Sequence, residues 1–238
     1  MTARSRRAGE RSPKNRDAAF DAAYFQRYYF SRRTRVVTAA EMRARAALIA
    51  AILRQTQIPV GRILDAGCGI GLLRAPFAKL LPRAAYTGLE ASAYLCEHYG
   101  WTSGSVADYR ARRAYDLVVC YDVLQYLSDR DAARAIANLG RLSRAALYVS
   151  ALTSEDWRDN CDRSLTDRDV HLRPAAWYRR RLSAAFRHLG FGVWIRRNVR
   201  PICWELERSR GAVKACAISN RRAPHVPVRR PPSRPAHR

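Results

Sequence analysis

Between residues 61 and 150, short apolar runs alternate with longer amphipathic stretches. The apolar runs are typical of strands, and the amphipathic stretches are typical of helices. The predicted strands are Gly61–Ala66, Ala85–Leu89, Trp101–Val106, Tyr115–Cys120 and Ala145–Ser150. The predicted helices between them are Leu72–Leu81, Ala91–Tyr99 and Asp131–Leu142. Strands that alternate with helices in this way indicate βαβ units and a parallel sheet.

The segment before this region predicts helices. An aromatic cluster at residues 20–30 suits one or two short helices with an apolar face. Thr38 then predicts the N-cap of a helix that runs to about Gln55. Glu41, three positions after Thr38, would complete a capping box, which supports this start.

The segment after the alternating region first lacks a clear helix or strand pattern and then regains one. Residues 151–172 are polar and rich in aspartate. Pro174 suits the first turn of a helix that extends to about Leu189. A closing hairpin is predicted next, with its two strands and its turn at Phe191–Arg197, Ile202–Arg208 and Asn198–Pro201.

The positive charge of the chain is concentrated at its ends. The 238 residues carry a net charge of +24, of which residues 1–16 hold +5 and residues 208–238 hold +9. Both ends lack apolar periodicity, so residues 1–18 and 209–238 are predicted to be disordered basic tails. Only three of the 44 basic residues are lysine, a bias that GC-rich coding explains as well as phosphate binding does. A nucleic-acid partner therefore stays open and is not favoured.

The cysteines and the hydropathy exclude several other classes of protein. None of the six cysteines lies in a C-x-x-C pair, and no cysteine–histidine set has zinc-ligand spacing. We therefore expect reduced thiols in a cytoplasmic protein without a metal site. No stretch approaches the roughly 20 apolar residues of a membrane helix, so no membrane partner is expected.

A glycine-rich turn is the first candidate for chemistry. Residues 63–71 end a predicted strand and open a predicted helix with the pattern D-x-G-x-G-x-G. Glycines at such a turn let the backbone approach a ligand and direct amide groups toward it. The spacing differs from the dinucleotide fingerprint G-x-G-x-x-G. A glycine-rich turn without a ligand is the alternative for this motif alone.

Three further features follow in order. Glu90 closes the second strand, where a carboxylate can accept hydrogen bonds from ribose hydroxyls. Asp108 follows the third strand, where an acid can accept the exocyclic amine of adenine. Tyr115–Tyr126 is a buried strand that runs into an aromatic-rich loop. Together with the glycine turn, these segments resemble the class I S-adenosylmethionine-dependent methyltransferases over about residues 60–150, and through the closing hairpin to about 208.

The resemblance implies an α/β fold and the cofactor S-adenosylmethionine. The fold would be a Rossmann-like, seven-stranded, mostly parallel sheet with a C-terminal antiparallel hairpin and helices on both faces. Residues 19–208 would be a single domain. Its parts would be a helical lid, a cofactor-binding core, and a substrate segment with the closing hairpin, at residues 19–58, 60–150 and 151–208.

The family's site residues transfer to the matching positions of this chain. For the methionine part of the cofactor these are Asp65, which would hold the amino group, and the cradle glycines Gly67, Gly69 and Gly71. For the ribose and the adenine they are Glu90, Ala91, Ala107 and Asp108. Tyr121 would face the cofactor near the substrate pocket. Tyr126 departs from the family pattern, since relatives often carry histidine there.

The acceptor side has weaker candidates. His171 is the best general base by its chemistry, because its ordinary pKa lies near neutrality, although a solvated or capping histidine explains it as well. The lid tyrosines Tyr24, Tyr28 and Tyr29 would line the acceptor site or pack at the sheet edge.

Three functions remain in competition. The first is methyl transfer to a small molecule by in-line displacement, in which the protein positions and desolvates the acceptor. The second is an RNA- or ribosome-directed methyltransferase that uses the basic tails. Tyr121-Asp-Val-Leu124 lacks the Pro-Pro-aromatic signature of enzymes acting on exocyclic base amines, which argues against it. The third is a non-catalytic, cofactor-binding partner protein. The acceptor atom and the oligomeric state stay open.

Overall fold

A computed structural model describes residues 20–207, so both predicted tails lie outside the described residues. The seven strands are β1 Arg62–Ala66, β2 Ala85–Glu90, β3 Thr102–Ser103, β4 Tyr115–Tyr121, β5 Ser143–Ser150, β6 Phe186–Gly190 and β7 Val193–Arg196. The α-helices are α1 Ala22–Phe25, α2 Ala39–Gln55, α3 Arg74–Leu80, α4 Ala93–Tyr99, α5 Asp129–Leu142, α6 Ser154–Asp159 and α7 Ala175–Leu182. Single helical turns of other types lie at Gln26–Phe30, Leu124–Tyr126 and Glu205–Glu207.

The strands form one sheet in the order β3-β2-β1-β4-β5-β7-β6. Strands β1 to β5 pair in parallel, whereas β7 is antiparallel to both β5 and β6. This confirms the predicted seven-stranded, mostly parallel sheet with a C-terminal antiparallel hairpin. The carboxyl ends of β1, β2 and β4 meet at one edge, so the loops that follow these strands share a crevice.

Helices cover both faces of the sheet, as predicted. The apolar residues of α2 and α3 pack on one face around Leu117 and Val119 of β4. Those of α5 and α7 pack on the other face around Val118 and Cys120. Strand β4 is therefore buried on both sides, as its apolar run from Leu117 to Cys120 indicates.

The start of α2 agrees with the capping-box prediction. The Glu41 amide donates to the Thr38 hydroxyl at 3.2 Å, and the Thr38 amide donates to the Glu41 carboxylate at 2.7 Å. Two otherwise unpaired amides at the helix end are thereby satisfied.

The predicted position of the closing hairpin is wrong. Its strands are β6 and β7, and they are joined by Phe191 and Gly192, which both have positive φ, 47° and 78°. Helix α7 consequently ends at Leu182 rather than near Leu189. Phe186 is buried in the core, and pairing with β7 extends a segment whose composition alone suits a helix.

Two other predicted strands also differ from the structure. The segment after β7 is not a strand, since it crosses the end of α2, where the Ile202 amide donates to the Thr56 carbonyl at 3.1 Å. The predicted strand Trp101–Val106 shortens to β3 because only Thr102 and Ser103 pair with β2.

Within residues 20–207, no helix is long and apolar enough to cross a membrane.

Candidate functional site

The glycine cradle, defined as Asp65–Gly71 together with Glu90, lies at the carboxyl ends of β1 and β2. Its three glycines, Gly67, Gly69 and Gly71, all have positive φ. Gly67 has φ 82°, and a Cβ atom there would overlap Cγ2 of Val123. The loop therefore lies so close to the segment after β4 that only glycine fits at this position.

Glu90 fixes the shape of the cradle. Its carboxylate accepts hydrogen bonds from the amides of Gly69 at 2.8 Å, Ala91 at 2.8 Å and Ser92 at 3.0 Å. A carboxylate offers about four acceptor sites. The three amide bonds thus leave acceptor capacity for one further donor, such as a ribose hydroxyl. Ala91 itself is exposed beside it.

Asp65 is a buried acid at the end of β1, with only 2% of its surface exposed. The Tyr86 hydroxyl donates to its carboxylate at 2.6 Å. Burial raises the pKa of Asp65 to about 7, the Tyr86 hydrogen bond opposes this shift, and the charge of Glu90 adds to it. A buried carboxylate of this kind gains most from a cationic partner, such as an ammonium group.

The two residues predicted beside the adenine lie in different surroundings. Ala107 is buried in the core cluster that also contains the apolar residues of α5. Asp108 is exposed, and its carboxylate forms an ion pair with Arg134 of α5. An adenine amine at Asp108 would therefore have to share that carboxylate with Arg134. The adenine role of Asp108 stays a prediction.

Tyr121 ends β4 close to the cradle. The guanidinium of Arg45 lies over its ring, 4.2 Å from the centroid, and also donates to the hydroxyls of Tyr121 and Tyr148. Burial and then the charge of Asp122 raise the pKa of Tyr121 to about 12. Its hydroxyl therefore stays protonated and neutral near physiological pH.

The lid tyrosines of the segment before α2 lie over the same crevice. The ring of Tyr29 lies beside Gly69, since a Cβ atom added to this glycine would be 3.8 Å from Cε1 of Tyr29. The Tyr24 hydroxyl donates at 3.0 Å to that of Tyr126, which lies in the loop after β4. Tyr28 packs against Tyr24, with ring centroids 4.8 Å apart. These contacts bring the amino-terminal segment onto the loop after β4.

Tyr29 also helps to close a cavity of about 40 Å³. Its walls include Val36, Met42, Asp65, Gly67, Gly69, Tyr121 and Asp122. The cavity connects the buried carboxylate of Asp65 with the end of β4. A pocket for a ligand of drug size spans roughly 300 Å³ or more, so this cavity as it stands is smaller than such a ligand requires.

His171 lies apart from the centre of this arrangement. It is exposed, and its backbone amide donates to the Gln125 carbonyl at 2.7 Å. That bond ties the segment after β5 to the loop after β4. The general-base role of His171 stays a prediction. Within residues 20–207, no group of three potential metal ligands comes together.

Sequence reasoning missed Asp122 and Gln125. Asp122 follows β4 with φ 60°, an unusual value for a residue other than glycine, and it lines the cavity. Its carboxylate accepts a hydrogen bond from the Gln125 side-chain amide. Gln125 is only 2% exposed. The signal in the sequence is an acid directly after a buried strand.

Comparison with known proteins agrees with this geometry. Residues 64–145 match a protein family described as a methyltransferase domain. This range includes the glycine cradle and the loop after β4. No curated protein sequence matches the chain significantly.

Solved structures share the fold at low sequence identity. A sugar N-methyltransferase from a Streptoalloteichus species is 17% identical, with a TM-score of 0.55 over 83% of this chain and 99% of its own. Magnesium protoporphyrin IX methyltransferase from Synechocystis PCC 6803, with bound S-adenosylhomocysteine, is 20% identical, with a TM-score of 0.53 over 76% of this chain and 95% of its own. Identities this low establish the shared fold and nothing finer.

Proposed function

We propose that this chain is a class I S-adenosylmethionine-dependent methyltransferase that transfers a methyl group to a small-molecule acceptor by direct in-line displacement. The observation that carries the proposal is the intact glycine cradle. Its loop is held open by positive φ at Gly67 and tied to β2 by the three amide hydrogen bonds to Glu90. A loop that had lost its ligand would have no need of this arrangement.

The residues present fit the cofactor. The buried Asp65 carboxylate would bind its amino group, and the remaining acceptor capacity of Glu90 would bind a ribose hydroxyl. Ala91 and Ala107 would pack beside the ribose and the adenine, with Asp108 at the adenine edge. When bound, the cofactor supplies an electrophilic methyl group on a sulfonium. Tyr121 would hold the acceptor near that group, and the lid would exclude water.

The aromatic lid supports a small acceptor over a folded RNA. Tyr24 and Tyr29 lie against the loops that follow β4 and β1, so the described residues enclose the crevice rather than leave it as an open groove. The sugar N-methyltransferase and the porphyrin methyltransferase named above also take small molecules, which agrees with this choice.

Calorimetric titration with S-adenosylhomocysteine tests the cofactor site. We expect binding by the full chain, and a loss of at least about tenfold in affinity for Gly69→Arg and for Glu90→Ala, since each removes one part of the cradle. The matched control is Glu97→Ala, which removes an exposed acid of α4 and should leave affinity unchanged. A folded wild-type protein that does not bind would overturn the proposal.

A further inference from the structure

Tyr24 contacts two other tyrosines, Tyr29 of the lid and Tyr126 of the loop after β4. The Tyr24 ring lies 6.5 Å from that of Tyr29, and its hydroxyl bonds to that of Tyr126. Phe20 adds edge contacts to Tyr24 and Tyr126, with centroids 5.0 and 5.3 Å away. Tyr28 also packs against Tyr24, with ring centroids 4.8 Å apart, but the Arg27 guanidinium already lies over its ring at 5.1 Å.

The electrostatics of this group are negative. Burial is the main cause of the raised pKa values of Tyr24, Tyr29 and Tyr126, and the nearby charge of Asp122 raises all three further. Asp167 adds to the effect at Tyr24. The geometry agrees, because Asp122 lines the same cavity as Tyr29 and directly precedes the loop that carries Tyr126.

One buried polar atom in this region lacks a partner. The side-chain oxygen of Gln125 is buried and accepts no hydrogen bond from any residue between 20 and 207. The nitrogen of the same amide donates to Asp122. A buried acceptor without a donor is costly, typically about 1–3 kcal/mol, so a ligand that brings an N–H or O–H group would be favoured here.

Asp122 is suited to take a proton. Burial raises its pKa, while the Gln125 hydrogen bond and the charge of Arg45 oppose that shift. A carboxylate with a raised pKa is a stronger base. The unusual backbone conformation of Asp122 is held where the strand ends, because its amide donates to the Ser150 carbonyl at 2.9 Å.

We propose that the methyl acceptor is an amine, bound in an acceptor box that consists of Tyr24, Tyr29, Tyr126, Asp122 and Gln125. This inference rests on the proposed methyltransferase function. The aromatic faces attract a cationic nitrogen, and the Gln125 oxygen accepts one of its N–H groups. A hydroxyl would meet the Gln125 oxygen equally well, but it would gain nothing from the rings or from the negative charge.

The reaction then balances with this chain's own base. An acceptor that arrives as an ammonium first gives a proton to Asp122, which releases it to solvent. The nitrogen lone pair forms the new N–C bond as the methyl–sulfur bond of the donor breaks, and the bonding pair stays on sulfur. The methylated nitrogen is then positively charged. It becomes neutral again when it gives a proton to Asp122.

Two small probes of equal size test the amine preference. Cyclohexylamine and cyclohexanol would be titrated into the full chain saturated with S-adenosylhomocysteine, and binding would be followed by calorimetry. We expect the amine to bind at least about tenfold more tightly, as cation–π and charge interactions of this kind allow. Asp122→Asn should reduce that preference to the part that the aromatic rings supply, while S-adenosylhomocysteine affinity is retained. Asp159→Asn, an exposed acid of α6, is the matched control.

The outcomes separate this inference from the proposed function. Equal affinity for both probes, or no binding of either, by protein that still holds S-adenosylhomocysteine would overturn the amine assignment alone. An unchanged preference in Asp122→Asn would also overturn it. Failure to bind S-adenosylhomocysteine would instead overturn the methyltransferase function.

Discussion

The glycine cradle joins the ends of two neighbouring strands, whereas the acceptor box assembles side chains from two segments that are distant in the sequence. In the cradle, the backbone amides of Gly69, Ala91 and Ser92 converge on the carboxylate of Glu90. In the box, the hydrogen bond between Tyr24 and Tyr126 joins residues 102 positions apart. A backbone-built site depends on a few φ angles, and a side-chain-built site depends on how the lid packs. Substitutions in the two regions should therefore have different effects on stability and on ligand affinity.

The largest effect is expected at Gly67. Gly67→Ala combines a positive φ with overlap against Val123. A left-handed conformation costs about 1–2 kcal/mol, and overpacking adds about 1–3 kcal/mol. The free energy of unfolding, measured by denaturant titration, should fall by about 3 kcal/mol, and S-adenosylhomocysteine binding should be lost.

Gly100 offers the control for this substitution. It has φ 68°, and a Cβ atom there would meet nothing within 4 Å. Gly100→Ala should therefore show the conformational cost of about 1–2 kcal/mol alone and retain ligand binding. If the two alanine variants lost equal stability and equal affinity, the close approach of the loop to Val123 would not matter.

The contrast between backbone and side chains also explains what the sequence predicts. The spacing of Gly67, Gly69 and Glu90 encodes the cradle, because these residues act through local turns and through the end of the adjacent strand. Asp122 and Gln125 gain their significance from tertiary structure, which no local pattern records. Asp122 bonds to Ser150 of β5 and lines the same cavity as Tyr29, and the Gln125 carbonyl accepts from the amide of His171.

The same reasoning accounts for the misplaced hairpin. Phe186–Gly190 contains arginine and histidine between its apolar residues and follows a helix without a proline between them. Local preference therefore extends the helix, and pairing with β7 overrides that preference. By contrast, the buried strand β4 was predicted to within one residue because its apolar run has no competing interpretation.

Asp65 should make S-adenosylhomocysteine binding in the cradle depend on pH. Its pKa of about 7 means that it is largely protonated below neutrality, whereas an ammonium ligand favours the ionised form. S-adenosylhomocysteine affinity should therefore rise with pH by up to about tenfold per unit below 7 and become constant above it. Calorimetry between pH 5 and pH 8 measures this. Asp65→Asn should bind weakly without that slope, and an identical slope in the variant would contradict the assignment.

Stability should change with pH in the opposite direction. Between the ordinary aspartate pKa and 7, the folded state keeps a proton on Asp65 that the unfolded state has lost. The free energy of unfolding should therefore fall as pH rises through this range, by up to about 1.4 kcal/mol per pH unit. The difference between wild type and Asp65→Asn isolates this contribution from those of the other carboxylates.

The smallest effect is expected from Tyr24→Phe, which distinguishes the two regions most cleanly. The substitution keeps the ring that contacts Phe20 and Tyr29 and removes only the hydroxyl that donates to Tyr126. One neutral hydrogen bond contributes about 1 kcal/mol, so cyclohexylamine affinity should fall about fivefold. Affinity for S-adenosylhomocysteine should not change, because the cradle does not include this hydroxyl. Tyr99→Phe on α4 is the control, and equal losses of both affinities in Tyr24→Phe would mean that lid and cradle form a single site.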